Sequence, residues 1–472
     1  VQGGRAWTGD FNEKFRKQKG YDPAIYYPAL WMDIGPETAA ARNELLGFRA
    51  ELYSTGFPKV LNDWCREHGI KLTGHVDQEE IVNPVGLCGD LMKAFKHQDI
   101  PAIDQVFQYG RASKAYKIVS SAAQNYDRPL VLVECYGGIN KMPVANLYKE
   151  AMDQFAKGIN CMVPHAVWYL PEKIIFQPDL SPASAVYGPE LPAYNQYIGR
   201  LQRMLQGGRH VADIAVLYPI ATLQGGYYFG PGKPYEGGVI PTEADYMDVG
   251  ERLALEVRRD YTFIHPEVLE EKCSVVGNEL RLENKVNAER WKVLIMPGSR
   301  TIRLSVLRKI KEFYDAGGKV IATTRLPDTS AESGKDDEVR KIVAEMFAKD
   351  GGKARFVASP TASALKSALD EAVAAYDVAF EKDVSVAGGN LSYIHKVVEG
   401  RDVYFFGNSS GGAVDVSVRL RGRLSLRRWD PHTGEIGPCE ITPARENGMD
   451  MTRVALKLGT VRSVFFVSEP AE

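Results

Sequence analysis

One glutamate, Glu134, stands where the sequence predicts proton-transfer chemistry. It follows directly on the apolar run at 130–133 and precedes Cys135-Tyr136-Gly137-Gly138. Such a run is typical of a strand that is buried on both faces, and paired glycines let the backbone approach a ligand closely. The alternative is a solvated acid at the start of a surface loop. We favour a functional carboxylate, because Glu134 still belongs to the strand.

A second set of acids follows the apolar segment 70–76, where Asp77-Gln78-Glu79-Glu80 places three carboxylates within four residues. This pattern is also typical of a solvated turn, and at most one or two of the three can be catalytic. An acid that faces the interior has its pKa raised by burial, which suits a proton donor. Glu79 and Glu80 are the candidates, and the choice between them stays open. His75, at the end of the segment, is either a core imidazole or a substrate ligand.

Rings and polar groups follow the next predicted strand ends. His165 comes after the segment 159–164, with Trp168 and Tyr169 close behind it. Together with Tyr136 and His75, these side chains are predicted to line a sugar site, because sugars stack on rings and bond to imidazoles. Ser120 and Ser121 are expected to satisfy backbone groups. For the remaining acids nearby we expect helix-capping or surface roles; they are Asp90, Asp99 and Asp104.

Two carboxylates at strand ends are the groups that hydrolysis of a glycosidic bond requires. One gives a proton to the leaving oxygen, and the other acts as nucleophile or as base for water. In a (β/α) barrel such groups must lie at the C-terminal strand ends. We therefore expect Glu134 to pair with Glu79 or Glu80.

The first part of the chain repeats an amphipathic stretch and a short apolar strand. This alternation favours a (β/α)8-type barrel that is partial in this chain, over residues 1–205. We expect the first barrel strands to be missing from a truncated start. The predicted strands are 70–76, 103–107, 117–122, 130–135 and 159–164, and the preceding helix is 59–68.

Two further regions complete the predicted multidomain α/β architecture. Residues 206–380 repeat helices and strands in the manner of a flavodoxin-like or amidotransferase-like doubly wound α/β domain. The turn 296–299 lacks the cysteine that an amidotransferase needs, so we expect this domain to be catalytically silent. From 381 to 472, short alternating strands predict a β-sandwich, with Trp429 packed into it.

Composition narrows the class of protein. Lys and Arg number 58 against 60 Asp and Glu, which argues against a nucleic-acid surface. No apolar run is long enough to span a membrane. The six cysteines lack the spacing of a zinc or redox motif, and buried free thiols are expected. We expect a periplasmic or secreted location, with a cytoplasmic one left open.

The ordered motifs resemble those of family 106 α-L-rhamnosidases. The motifs are Gly74-His75, Glu79-Glu80, Gly89-Asp90, Asp99-Ile100-Pro101, Asp104, Ser120-Ser121, 133–138, 146–149, Lys157-Gly158-Ile159-Asn160 and His165, with Gly20-Tyr21-Asp22 upstream. The resemblance implies a barrel acting on oligo- or polysaccharides, with the segments 70–76 and 130–134 as its fourth and seventh strands. It also implies inversion, and it adds calcium to a site for which the sequence itself requires no cofactor.

Three functions remain open at this point. The first is an exo-acting glycosidase of the α-L-rhamnosidase type. A galactosidase or glucuronidase would keep the fold and change the sugar. A non-catalytic carbohydrate-binding protein would keep the aromatic rim of a degenerate barrel. The sequence leaves the linkage and the oligomeric state undetermined.

Overall fold

Four parallel strands form the N-terminal sheet of the part of the chain that the computed structural model describes. That part comprises residues 7–76, 78–107, 109–170, 172–230, 238–348 and 352–469, with 109–111 as backbone only; Asp77 lies outside it. The strands are β1 (Thr73–Gly74), β2 (Ile100–Asp104), β3 (Leu132–Cys135) and β4 (Cys161–Pro164), and they neighbour one another in that order. A sheet order that follows the chain without reversal is that of a (β/α) barrel rather than of a doubly wound sheet.

Helices connect these strands and cover them. α4 begins at its N-cap Asp90, whose side chain accepts a bond of 3.0 Å from the amide of Lys93, so the predicted capping role of Asp90 is confirmed. The helices are α1 (Phe11–Lys19), α2 (Thr38–Gly56), α3 (Pro58–Glu67), α4 (Leu91–Phe95), α5 (Tyr109–Asn125), α6 (Val144–Ala156) and α7 (Leu191–Leu205), with 3₁₀ turns at Pro23–Leu30 and Pro84–Gly86.

The strand predicted at 117–122 is wrong, because these residues lie inside α5. Buried residues recur there at intervals of three and four, the spacing of a helix face: Ala112, Ala115, Val119, Ala122 and Ala123. α5 is packed on more than one side, so its short apolar run resembles a buried strand. Ser120 and Ser121 satisfy backbone groups, as expected: Ser120 donates to Lys157 O (2.7 Å) and Ser121 accepts from the amide of Phe263 (2.9 Å).

This correction changes the numbering of the barrel strands. Only β2 separates β1 from β3, whereas the predicted fourth and seventh positions require two intervening strands. The assignment of 70–76 and 130–134 to those two positions is therefore wrong. The remaining strand predictions are confirmed, although each observed strand is shorter or displaced by a few residues.

The central part of the chain forms a five-stranded parallel sheet in the order β15-β13-β11-β6-β7. Numbered along the chain, this order is 2-1-3-4-5, the flavodoxin-like arrangement. Its strands and the short ones around it are β5 (Arg209–His210), β6 (Ile214–Leu217), β7 (Tyr261–Ile264), β8 (Cys273–Val276), β9 (Glu279–Leu282), β10 (Glu289–Trp291), β11 (Val293–Met296), β12 (Thr301–Ile302), β13 (Lys319–Thr323), β14 (Thr329–Ser330) and β15 (Ala354–Val357).

Protein fills the crevice at which such a sheet would bind a ligand, where the strand order reverses between β6 and β11. Thr222 donates to Thr301 O (2.8 Å) there, and Asn43 of α2 donates to Ala221 O (3.0 Å). The cavity left between them measures about 20 Å³. The helices of this part are α8 (Ile220–Gly226), α9 (Tyr246–Glu251), which continues as a π-helical turn at Arg252–Val257, α10 (Pro266–Lys272), α11 (Leu304–Asp315), α12 (Asp336–Phe347) and α13 (Ala362–Ala372).

Two antiparallel sheets form the C-terminal part, in the orders β16-β19-β23-β22 and β21-β20-β24-β18-β17-β5. β5 belongs to the second of these sheets, where it pairs with β17 although about 180 residues separate them. The strands are β16 (Val378–Phe380), β17 (Leu391–Val398), β18 (Arg401–Asn408), β19 (Val414–Arg421), β20 (Leu426–Trp429), β21 (Ile436–Pro438), β22 (Ile441–Glu446), β23 (Met449–Leu458) and β24 (Arg462–Ser468).

A buried chain of charges joins these parts. Lys117 of α5 contacts Asp260 (2.6 Å), Asp260 contacts Nε2 of His210 (2.7 Å), and Nδ1 of His210 lies 3.1 Å from Glu289 of β10. Burial alone would raise the pKa of Asp260, but the charges of Lys117 and His210 outweigh it and hold this pKa at about 2. Asp260 is therefore ionised and compensated in the interior.

All six cysteines are free thiols, as expected from the sequence, and four of them are buried. Among the described residues, no helix is long and apolar enough to cross a membrane.

Candidate functional site

Two carboxylates lie side by side at the C-terminal edge of the N-terminal sheet. Glu134 is near the end of β3, in register with Asp104 at the end of β2. On its other side, Glu134 is in register with Val163 of β4. This edge is the one at which (β/α) barrels hold their active sites.

The imidazole of His75 connects Glu134 to the buried acid Glu79. Nε2 of His75 lies 3.6 Å from Oε2 of Glu134, and its Nδ1 lies 3.5 Å from Oε1 of Glu79. Nδ1 also lies 2.9 Å from the carbonyl oxygen of Val76. The side chains of His75 and Glu134 are 40% and 33% exposed, whereas that of Glu79 is 1% exposed. Glu134 and His75 thus face the open side of the edge, with Glu79 behind them.

The surroundings of Glu79 and His75 shift the pKa values of both groups. Burial raises the pKa of Glu79 to about 7, although His75 opposes the shift. The contact with Glu79 raises the pKa of His75 to about 9, against the effect of burial. A carboxyl whose pKa is raised toward neutrality can hold a proton when the substrate arrives.

Glu80 and Asp104 complete the acids near this edge. Glu80 is 4% exposed and lies next to Glu79 in the chain. Asp104 accepts a bond of 2.6 Å from the amide of Val106, and its carboxylate belongs to the same close group as His75 and Glu134. The capping or surface role expected for Asp104 did not include this proximity to His75 and Glu134, which makes Asp104 a further candidate for the site. Asp104, like Glu134, stands at the end of an apolar strand. The strand-end position that identified Glu134 in the sequence could therefore have identified Asp104 as well.

Aromatic rings flank the acids on the β4 side. The ring of His165 stacks on Phe176 with centroids 4.6 Å apart, and Trp168 meets Phe176 edge to face at 5.3 Å. Phe107, after β2, lies 5.0 Å from Phe176. The predicted residues His165 and Trp168 are thus brought together with two rings that sequence reasoning missed. Phe107 and Phe176 occupy loops without periodicity, so no pattern indicates them.

The two predicted tyrosines lie elsewhere. Tyr136 is fully buried; its hydroxyl donates to Leu147 O (2.8 Å) and shares a bond of 2.7 Å with the hydroxyl of Tyr194. Tyr136 is thus a core residue rather than the cleft residue that the sequence predicted. Tyr169 is 97% exposed and stands outside the ring cluster.

Unusual backbone conformations occur in the loops around this edge. Gln78, Phe107 and Tyr136 have φ values of 60°, 63° and 75°, which side-chain-bearing residues seldom adopt and which often mark functional sites. Gly138 has φ 86°, and a Cβ atom there would overlap the ring of Phe107. A glycine is therefore required for the loop after β3 to pass beneath Phe107.

The side chains of this edge are the ones that could hold calcium, the metal that the resemblance implies. Among the described residues, His75, Asp104 and Glu134 bring ligand atoms within 4.8 Å of one another. Calcium takes six to eight oxygen ligands, whereas this trio supplies two carboxylates and an imidazole nitrogen. This trio therefore does not fit calcium.

Known proteins that are similar in sequence or in structure share this architecture. A protein of Formosa agariphila, provisionally named a beta-glucuronidase, is 24% identical over 499 aligned positions, covering 98% of this chain and 37% of that protein. A rhamnosidase from Novosphingobium sp. PP1Y superposes with a TM-score of 0.74 at 22% identity, covering 99% of this chain and 44% of that one. The chain thus spans less than half the length of these two relatives.

A beta-galactosidase from Bacillus circulans sp. alkalophilus superposes with a TM-score of 0.64 at 11% identity, covering 99% of this chain and 78% of that one. At these identities the superpositions establish a shared fold, that of multidomain α/β glycoside hydrolases. The sequence model of glycoside hydrolase family 106, described as alpha-L-rhamnosidase, matches residues 2–442. The chain therefore belongs to glycoside hydrolase family 106, the alpha-L-rhamnosidase family.

Proposed function

We propose that this chain carries the acid and base carboxylates of an exo-acting α-L-rhamnosidase that acts on oligo- or polysaccharides. The observation that carries the proposal is the contact series from Glu79 through His75 to Glu134 at the C-terminal strand ends. Family membership supports the class of reaction, and the contact series supports Glu134 and Glu79 as the groups that carry it.

In this proposal Glu134 is the base that activates water, or the nucleophile. Its partial exposure allows contact with the anomeric carbon of a bound sugar. The proton donor is Glu79 or Glu80; the raised pKa of Glu79 favours Glu79, because a donor must be protonated at neutral pH. Since Glu79 lies behind His75, its proton passes to the open side through the imidazole, which takes a proton at Nδ1 and gives one from Nε2. His75 positions Glu134 and bonds to the sugar, while His165 and Trp168 form the wall beside it. Tyr169 stays a predicted contact for the part of the glycan outside the cluster.

The imidazole between the two carboxylates bears on stereochemistry. Retaining enzymes place their carboxyl groups about 5 Å apart, and inverting enzymes about 6.5–9.5 Å apart. A ring that contacts one carboxylate at each nitrogen, at 3.5 and 3.6 Å, favours the wider spacing. We therefore propose inversion for the pair of Glu79 and Glu134.

The predicted division into 1–205, 206–380 and 381–472 is part of this proposal. The three groups of sheets support it, with the difference that β5 belongs to the last group. We propose a periplasmic or secreted enzyme, with a cytoplasmic location as the alternative.

The test is a screen of aryl glycosides that includes p-nitrophenyl α-L-rhamnoside, run on this chain and on the longest form that its gene encodes. Glu134→Gln should lower kcat by about 10³-fold or more while sugar binding, measured by calorimetry, is retained. Glu345→Gln, at an exposed acid of α12, is the matched control. Unchanged turnover in Glu134→Gln would refute the assignment. Binding without hydrolysis by the unmodified protein would favour the carbohydrate-binding alternative.

Stereochemistry is read separately by proton NMR of the first sugar anomer that is released. The inverted anomer is expected for the pair of Glu79 and Glu134. The retained anomer would contradict this pairing.

A further inference from the structure

The cluster of rings beside Glu134 has properties that suit one part of a sugar. We define the aromatic wall as Phe107, His165, Trp168 and Phe176. Phe176 is its centre, since it contacts the other three rings at centroid distances of 4.6 to 5.3 Å. Phe107 is 60% exposed. A large apolar side chain that is left exposed beside acidic groups has area available for a ligand.

The wall is fixed to the same edge as the acids. The amide of His165 donates to Cys135 O (2.7 Å), and the amide of Phe107 donates to Gly137 O (3.1 Å). The chain around Phe176 is held by a bond from the amide of Gly138 to Gln177 O (2.8 Å). The backbone of His165, of Phe107 and of the neighbour of Phe176 is thus bonded to residues that directly follow Glu134, and Trp168 joins them through its ring contacts with His165 and Phe176.

Two ring nitrogens of the wall are buried and lack a hydrogen-bond partner within the described parts of the chain. They are Nδ1 of His165 and Nε1 of Trp168. Buried polar atoms in folded proteins are nearly always paired, so a ligand that brings hydroxyl groups to this wall would supply what these atoms lack. The wall therefore combines an apolar face with two polar positions.

We infer, on the basis of the proposed function, that Phe107 and Phe176 select a 6-deoxy sugar. In L-rhamnose the substituent on C5 is a methyl group, and in L-mannose, which is otherwise identical, it is a hydroxymethyl group. The methyl group packs on the rings of Phe176 and Phe107, while ring hydroxyls bond to His165 and Trp168. A hydroxyl placed against the two phenylalanine rings would lose its bonds to water without replacement.

The charges at this edge also disfavour a uronic acid as the bound sugar. Between described residues, no ion pair places a lysine or arginine on His75, Asp104 or Glu134. The carboxylate of a glucuronide would thus approach Asp104 and Glu134, and the positive charge of His75, the one in that set, already faces Glu79 and Glu134. Such an approach is unfavourable at a site that is partly removed from water.

The test compares kcat/KM for p-nitrophenyl α-L-rhamnoside and p-nitrophenyl α-L-mannoside, whose sugars differ only in the C6 hydroxyl. The unmodified protein should prefer the rhamnoside by roughly 100-fold, the discrimination typical of an apolar pocket. Phe176→Ala should lower this preference at least about tenfold, chiefly through the rhamnoside. Phe107→Ala should lower it less, because that ring is more exposed. Ile175→Ala, at a 71% exposed neighbour of Phe176, is the control and should leave the preference unchanged.

Calorimetry of L-rhamnose and L-mannose binding separates this inference from the proposed function. Hydrolysis of the rhamnoside with an unchanged preference in both phenylalanine variants would overturn the role of the wall and leave the proposed function standing. If the protein binds rhamnose more tightly than mannose, loses this difference in the variants and hydrolyses neither glycoside, the role of the aromatic wall is supported and the proposed enzymatic function is contradicted. A preference for the mannoside, or binding of neither sugar, overturns the inference. Because Phe107 is exposed, Phe107→Ala keeps the test decisive if Phe176→Ala fails to fold.

Discussion

Nε2 of His75 lies 3.6 Å from Oε2 of Glu134, so a partly exposed imidazole separates the candidate base from the interior. The other nitrogen of the same ring faces Glu79. Through this relationship, the protonation of a buried acid is coupled to a carboxylate that is open to substrate.

The pKa of Glu79 predicts how stability changes with pH. Folding raises this pKa from the ordinary 4.5 to about 7, so the folded state binds more protons than the unfolded state between these values. The free energy of unfolding should therefore fall as pH rises from about 4.5 to about 7. Glu79→Gln should remove a decline on the order of 3 kcal/mol. Urea denaturation of both proteins at pH 5 and pH 8 measures the difference, with Glu345→Gln as the control.

The same titration identifies the proton donor. With Glu79 as the donor, kcat/KM should decrease as pH rises through about 7, and Glu79→Gln should lose about 10²–10⁴-fold in rate. If the Glu79→Gln enzyme is active and its kcat/KM still decreases as pH rises through about 7, the proton donor is Glu80 instead. The measurement is the pH dependence of kcat/KM for Glu79→Gln and Glu80→Gln on the best substrate of the glycoside screen.

Tyr136→Phe should affect stability and spare catalysis. The variant removes the hydroxyl that bonds to Leu147 O and to Tyr194 in the core. We expect a loss of about 1–2 kcal/mol in the free energy of unfolding and a change in kcat/KM of less than about threefold. Chemical denaturation and steady-state kinetics test this. A large loss of activity at normal stability would return Tyr136 to the substrate site.

Lys117→Met should destabilise the protein by about 3–5 kcal/mol, because it leaves Asp260 charged and poorly compensated in the interior. The control is Lys366→Met at the exposed i,i+4 pair with Asp370, where the loss should be below about 0.5 kcal/mol. Equal effects of the two variants on denaturation would contradict a structural role for the buried network.

Acid titration tests that network independently. The low pKa of Asp260 contributes stability that is present above pH 3.8 and is lost as the pH falls toward 2. Asp260→Asn should lower stability at neutral pH and reduce its further loss below pH 4. Thermal melting at pH 7, 4 and 3 gives this comparison, with the unmodified protein as reference.

Gly138→Ala should damage the aromatic wall. At φ 86°, a side chain costs about 1–2 kcal/mol, and the added methyl group would displace Phe107. We expect the preference for the rhamnoside over the mannoside to fall together with stability. Gly412→Ala is the control, because a Cβ atom there meets nothing within 4 Å. An unaltered preference in Gly138→Ala would show that the position of Phe107 is unimportant.

Secondary-structure elements whose residue pattern is typical of only one kind of element could be predicted from the sequence. The apolar runs Val293–Met296 and Lys319–Thr323, each next to turn residues, coincide with β11 and β13 of the predicted doubly wound domain. α5 was partly misread because it is buried on several sides, which obscures helical periodicity over a short window.

For the site, chain position alone identified Glu134, since a strand end is a local property. The choice of Glu79 as the acid that contacts His75 depends on which way the loop after β1 turns, and this is set by distant packing. Phe176 joins the aromatic wall through contacts with Phe107, 69 positions away, which no local pattern contains. Tyr136 sits in a strand-end motif, but its positive φ and its bond to Tyr194 direct the ring inward.

The position of β5 has a consequence for synthesis on the ribosome. β5 directly follows the barrel region, but its partner β17 begins about 180 residues later. At about 5–20 residues per second, β5 waits on the order of ten to forty seconds before that partner has been made. During this interval His210, which β5 carries, has no completed sheet to cover it. A nascent chain released early would expose an unpaired strand edge, which favours pairing with other chains and aggregation.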